Sequence, residues 1–272
     1  MNRFRTTLVL LLLCAAPMRA DVTVVQTMSI EGAMTAMMGG VTPRMVTRIK
    51  DQVSRTDVDV MDQTVATITN LATRQLIVLN GADKTAQIFG AGSPAFPAGQ
   101  APPMPKVDVT SKPTGQSRVI EGAQCQEHAF TMKVNLAEMG ASGQMPAEAS
   151  AAMKDVRLSV SGWVWVATEG PGVAEYMAFY KAAADANLAA AVTGMPPGQS
   201  GGLESLMNAA SAAPGLPYLT EMIMTFEGTG KVVDMMKVMG PMKLTHRVTS
   251  VSTDAVPNDL FVVPEGYQVV KP

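Results

Sequence analysis

From residue 22 to residue 89 the chain alternates apolar and polar side chains in six short runs rich in Val, Thr and Ile, with breaks of only a few residues. A period of two sends successive side chains to opposite faces of an extended chain, and β-branched residues fit a pleated surface, so this pattern predicts consecutive antiparallel strands. They are expected at 22–30, 44–50, 52–60, 64–71, 75–80 and 84–89. In the first, Val22, Val24, Met28 and Ile30 share one face while Thr23, Thr27 and Ser29 share the other. One side of the sheet therefore meets water or a polar layer. The segment between the first two strands holds Met34, Met37 and Met38 between glycines and reads as an apolar flap or short helix.

Residues 90–113 carry Pro94, Pro97, Pro102, Pro103, Pro105 and Pro113, a density that removes backbone donors and predicts a surface loop. Strands resume at 116–122 and 124–134, with a short helix expected at 146–153. The run 155–167 is the clearest strand. Its Val156, Leu158, Val160, Val164 and Val166 fall on one face and Trp163 and Trp165 on the other, so both faces of its second half should be covered. After Pro171-Gly172, the residues Val173, Tyr176, Met177, Tyr180, Ala184 and Leu188 recur at the spacing of an amphipathic helix. A Gly/Pro loop at 194–202, a second helix at 203–213 and a strand at 218–227 follow; that strand sets Met222, Met224 and Phe226 on one face. Residues 232–239 fit a helical turn or a bulged strand, and 242–252 a final strand. Many strands with a few interspersed helices and no fixed repeat give the class α+β.

The first twenty residues look like an export signal: Arg3 and Arg5, an apolar core over 6–16, then Pro17-Met18-Arg19-Ala20 as the cleavage region, with Asp21 as the first mature residue. An apolar run of about eleven residues is well short of the roughly twenty needed to span a bilayer, and no later segment reads as a membrane span. Cys14 could carry a lipid, but Leu13 before it is too bulky and the position too early. A periplasmic protein without a lipid anchor is therefore expected, with residues 21–272 forming a single domain around the loop at 90–113. Without the leader, eighteen basic residues face twenty-three acidic ones, which disfavours nucleic acid or an anionic membrane surface as partner. Cys125 is then the only cysteine, no intramolecular disulfide can form, and stability must come from packing.

Motifs with catalytic potential lack their context. Gly198-Gln199-Ser200-Gly201-Gly202 fits G-x-S-x-G, yet it lies in a Pro/Gly loop between expected helices, and neither His128 nor His246 has triad surroundings. Cys125 and His128 form C-x-x-H, but residues three apart on a strand point to opposite faces and cannot share one ion. Gly228-Thr229-Gly230-Lys231 lacks the first glycine of a phosphate loop, and Val232 replaces its hydroxyl residue. Asp57 and Asp59 share a strand face with Arg55, which reads as a charge-balanced, solvated surface. No catalytic residue, metal site or cofactor is nominated.

Methionine is the compositional anomaly, with 22 in the chain against 5% aromatic residues. Its flexible, polarisable side chain fills irregular cores and also lines surfaces that adapt to varied apolar partners. Met34-Met37-Met38 and Met235-Met236-Met239 have helical spacing, which describes a plain apolar face as well as a thioether cluster.

Three segments resemble a known family. Thr114-Gly115, Ile120, Gly122, Cys125 and His128 resemble the threonine-glycine, isoleucine, glycine, cysteine pattern of the periplasmic family DUF4412. Trp163-Val164-Trp165-Val166 resembles its central tryptophan-bearing strand, and the run from Asp259 through Phe261, Pro264 and Gly266 to Tyr267 its closing signature. Such proteins are similar to the LolA-like superfamily. The resemblance implies a curved antiparallel β half-barrel with helices packed on the concave face around an apolar cavity.

The leading expectation is a non-enzymatic carrier or binding protein for a lipid, acyl chain or other apolar molecule. Its candidate contacts are Met34, Met37 and Met38 in the first loop, Tyr176, Met177 and Tyr180 on the helix, and Met222, Met224 and Phe226 on a late strand. The alternatives are a structural or interaction protein of the envelope whose helices fill their own cavity, and metal handling through Met, Cys125 and His246. An enzyme is the least supported class.

Overall fold

The computed structural model describes residues 21–32, 42–60, 63–90, 107–135, 155–186, 188, 214–238 and 240–270. In chain order these form β1 (Val22–Glu31), β2 (Arg44–Lys50), β3 (Val53–Val60), β4 (Gln63–Asn70), β5 (Gln75–Asn80), β6 (Thr85–Phe89), β7 (Val107–Ile120), β8 (Ala123–Asn135) and β9 (Arg157–Ala167). Helix α1 (Val173–Asp185), β10 (Leu216–Glu227), helix α2 (Lys231–Val238), β11 (Met242–Ser252), a 3-10 turn (Asn258–Phe261) and β12 (Gln268–Val270) complete the set.

All twelve strands belong to one open sheet in the order β12-β6-β5-β4-β3-β2-β1-β11-β10-β9-β8-β7. Neighbours pair antiparallel except β12, which runs parallel to β6. The chain builds β1 to β6 as a meander of short hairpins on one side of β1, and β7 to β11 on its other side. The alternating run at 22–89 is thus the antiparallel meander that it predicts.

Two layers cover the β4–β5 region. On one side Leu76, Val78 and Phe89 join a large core with Val22, Val24, Ile49 and the buried α1 residues Val173, Tyr176, Phe179 and Ala183. On the other, Ala66, Ile68, Ile77, Leu79 and Ala86 pack under Phe261, Val263 and Tyr267 of the C-terminal segment. Four successive residues of β5, Leu76 to Leu79, are consequently all buried. The end of β9 behaves the same way, with Val164, Trp165, Val166 and Ala167 all buried, but Trp163, which the sequence expects to be covered as well, is 43% exposed.

Hydrogen bonds from charged side chains to its backbone fasten the C-terminal segment. Arg55 donates to the Leu260 carbonyl at 3.0 Å and Lys50 to the Val256 carbonyl at 2.8 Å, while Asp21 accepts from the Val256 amide at 2.7 Å. Asp57 is bridged by Arg48 at 2.6 Å and Arg55 at 2.7 Å. The reading of Asp57 and Arg55 as solvated is therefore corrected. Their side chains keep only 14% and 15% of their exposure, because the C-terminal segment lies over this part of β3.

Helix α1 starts at Gly172, whose φ of +71° is left-handed. A Cβ there would stand 2.9 Å from a Val22 methyl, so glycine meets both a backbone and a packing requirement. At the other end Arg74 donates to the Ala186 carbonyl at 3.1 Å, placing a cation where the helix dipole favours one.

Other expectations need correction. The loop at 90–113 yields its last residues to β7, which begins at Val107 and takes in Pro113 where its register with β8 shifts. Proline is tolerated there because β7 is the sheet edge. Of the two readings offered for 232–239 the helical one holds: residues 231–238 form a helix, with Val233 as the buried position and Met235 67% exposed. β12 has no counterpart in the expected strands. The expected helices at 146–153 and 203–213 lie outside the described residues.

Candidate functional site

Residues directly opposite one another across paired strands share a face. In register, Met28 on β1, His246 on β11, Thr220 on β10, Val164 on β9 and His128 on β8 form one transverse row. The next row is Ile30, Leu244, Met222, Gly162 and Phe130, and the one beyond is Met242, Met224, Val160 and Met132. Together they form a contiguous apolar surface in which Met132, Val160 and Met222 have no exposure, with Met28, Met242 and Phe226 partly buried against it.

The same face continues through β1 to the other half of the sheet, because Val22, Val24, Met28 and Ile30 keep one phase along that strand. There its character changes. The row Val24, Thr47, Thr56, Thr67 and Val78 and the row Val22, Ile49, Ser54, Thr69 and Leu76 bring hydroxyls inward. These five hydroxyl residues are buried, and Thr47 and Thr56 bond to each other at 3.2 Å. One face of the sheet thus joins a methionine-rich half to a hydroxyl-lined half.

Gly162 sits inside the methionine-rich half. A Cβ at this position would collide with the Glu221 carbonyl and lie 2.8 Å from the Met222 Cα. Glycine is what lets β9 and β10 approach so closely.

The predicted contacts separate into three groups. Met222, Met224 and Phe226 come together in the methionine-rich cluster. Tyr176, Met177 and Tyr180 belong instead to the α1 core, where the Tyr176 and Tyr180 rings lie 4.3 Å apart. Burial raises the pKa of both phenols, Tyr176 further through its neighbour Tyr180. The helix phase is also corrected: Phe179 and Ala183 are the buried residues beside Val173 and Tyr176, while Met177 and Tyr180 flank them and Ala184 faces solvent. Met34, Met37 and Met38 lie outside the described residues, as does Ser200.

Sequence reasoning did not nominate Met28, Met132 and Met242, although each lies on the apolar phase of its strand. It weighed His246 only as a triad base, which it rejected, and for metal handling. The alternation Leu244, His246, Val248 is the signal that places His246 inward. This imidazole is buried, its Nε2 has no hydrogen-bond partner among the described residues, and burial lowers its pKa to about 4. Cys125 is not beside it. The thiol lies in the α1 core, donates to the Ala123 carbonyl at 3.5 Å, and has a pKa raised by burial. A site joining Cys125 to His246 is therefore ruled out, with β9 and β10 between their strands.

Among the described residues two small cavities stand out. One of about 130 Å³ lies between α1 and the strand turns, lined by Ile49, Leu71, Glu175 and Phe179. The other, about 160 Å³, is bordered by Arg118, Glu121, Leu219 and Arg247. Neither touches the methionine-rich rows. No group of three or more His, Cys, Asp or Glu residues among the described residues could hold a metal, and no described helix is long and apolar enough to cross a membrane.

No family model matches the chain, so the DUF4412 resemblance rests on its three segments. No curated protein matches it in sequence. Among solved structures it is similar to PNGF-II at 9% identity and a TM-score of 0.35, covering 93% of this chain and 31% of that one. It is also similar to the Mycobacterium tuberculosis lipoprotein LppX at 10% identity and a TM-score of 0.31, covering 87% of this chain and 89% of that one. Similarity of this order does not establish a shared fold.

Proposed function

We propose that this chain is an exported, non-enzymatic binding or carrier protein for a lipid, an acyl chain or another apolar molecule. The observation that carries the reading is the contiguous methionine-rich surface on one face of the sheet, from Met132 on β8 through Met222 and Met224 to Met28 on β1. Thioether side chains re-pack around varied apolar shapes at little strain, which suits a wall that must serve both an empty and a loaded state. A twisted sheet of twelve strands favours curling, and the LolA-like half-barrel with helices on its concave face is the form that gives this wall an interior. The leader-like residues 1–20 support export.

A second reading has its own observation. The two cavities described above, about 130 and 160 Å³, are each smaller than the roughly 300 Å³ at which ligand pockets begin. A self-filled structural or interaction protein of the envelope would look the same. Uptake of a fluorescent fatty-acid probe by protein stripped of lipid separates the two. The carrier gives saturable binding that weakens when Met222 or Met224 is replaced by a polar residue. No uptake at micromolar probe sinks the carrier reading and leaves the self-filled one.

A further inference from the structure

The geometry points to a Cu(I) site at His246, with the His246 Nε2 and the thioethers of Met28 and Met222 as its ligands. Met28 stands directly opposite His246 on β1, and Thr220 opposite it on β10. Met222, two residues along β10 from Thr220, is the diagonal neighbour on the same face. Cβ atoms so placed are about 5 Å apart for the direct pair and about 7–8 Å or somewhat less for the diagonal one. An imidazole and two methionines can span those distances around one ion.

Two independent features make the arrangement more than a run of core methionines. The first is the Nε2, a buried nitrogen with an open lone pair or proton and no partner among the described residues. Unpaired polar groups in a core are few and call for an explanation. The second is the uniform softness and neutrality of the donors.

Beside His246 on this face stand Met28, Ile30, Leu244, Met222, Thr220 and the buried amide of Gln26, with no carboxylate, thiolate or cation among them, and the other imidazole of the row, His128, lies three strands away on β8. A divalent ion in such surroundings would keep its full double charge in a medium that solvates it poorly. A monovalent ion that prefers thioether and imidazole ligands fits, which selects Cu(I) over Zn(II) and Cu(II). Met28, only partly buried, leaves one flank of the site less enclosed than the Met222 side. This proposal does not depend on lipid carriage.

The test is an anaerobic titration of the purified protein with Cu(I) in the presence of bicinchoninate, a coloured competitor. The expected result is one equivalent of Cu(I) withheld from the competitor, with neither Zn(II) nor Cu(II) retained in parallel titrations. His246→Leu, Met28→Leu and Met222→Leu should each weaken Cu(I) retention about tenfold or more, since even outer-shell changes at metal sites cost that much. Methionine-to-leucine exchanges nearly conserve volume, and circular dichroism checks that each variant folds. Failure of the native protein to retain Cu(I) overturns the assignment. Undiminished retention in folded Met28→Leu and Met222→Leu variants overturns it equally, as does retention of Zn(II) at similar strength.

Discussion

His246 occupies a position where its strand alternation calls for a hydrocarbon. Leu244 and Val248 flank it on the same phase and are buried as that phase requires. A buried polar atom without a partner loses its hydration and gains nothing, an effect of about 1–3 kcal/mol. In metal-free protein, His246→Leu is therefore expected to raise unfolding stability by roughly 1–2 kcal/mol in a urea titration. A loss of stability of that size would mean the Nε2 has a structural partner after all. Gly162 shows the opposite constraint. Gly162→Ala must push β9 and β10 apart at the Glu221 carbonyl, and overpacking of this kind costs about 1–3 kcal/mol, readable as a lower urea midpoint at unchanged slope. The inward phase of both residues was legible in the sequence. The missing partner of the first and the close approach at the second were not, since each depends on atoms of strands distant along the chain.

At the scale of elements, local periodicity carried most of the information. β2, β5 and β11 have the boundaries expected of them, and 173–185 is helical as its apolar spacing demands. The phase of α1 was harder to read, because two stripes compete along it. Val173, Tyr176 and Tyr180 make one and Val173, Tyr176, Phe179 and Ala183 the other. Which stripe faces the sheet is decided by the entry angle at Gly172 and its contact with Val22, and neither is a property of the helix sequence. Phe179→Ala should accordingly cost about 3–5 kcal/mol, while Ala184→Ser on the exposed side should change stability little. Thermal unfolding of the two variants checks the phase, and equal losses would contradict it. β7 and β12 were misjudged for related reasons. The first hides a strand in proline-rich sequence at a sheet edge, and the second is three residues long, held by parallel pairing to β6 and the Tyr267 turn.

For the whole molecule, the sequence pattern was enough to establish a sheet-dominated α+β fold, because a period of two over so many segments leaves little else to form. It could not establish which residues share a face across β8, β9, β10, β11 and β1, since register between distant strands emerges only on pairing. That register gathers Met28, Met132, Met222, Met224 and Met242 on one surface, and it also places the Tyr176 group in a different core. The nominated contacts therefore split: the late-strand set belongs to the candidate wall and the helix set to the support beside it. The most direct test of carriage is native mass spectrometry of protein purified gently from its own compartment, followed by organic extraction and identification of what travels with it. The expected result is a mass above that of the polypeptide, with a lipid or acyl species in the extract that is lost when Met222 and Met224 are made polar. A bare polypeptide mass that persists after incubation with lipid would contradict the carrier account.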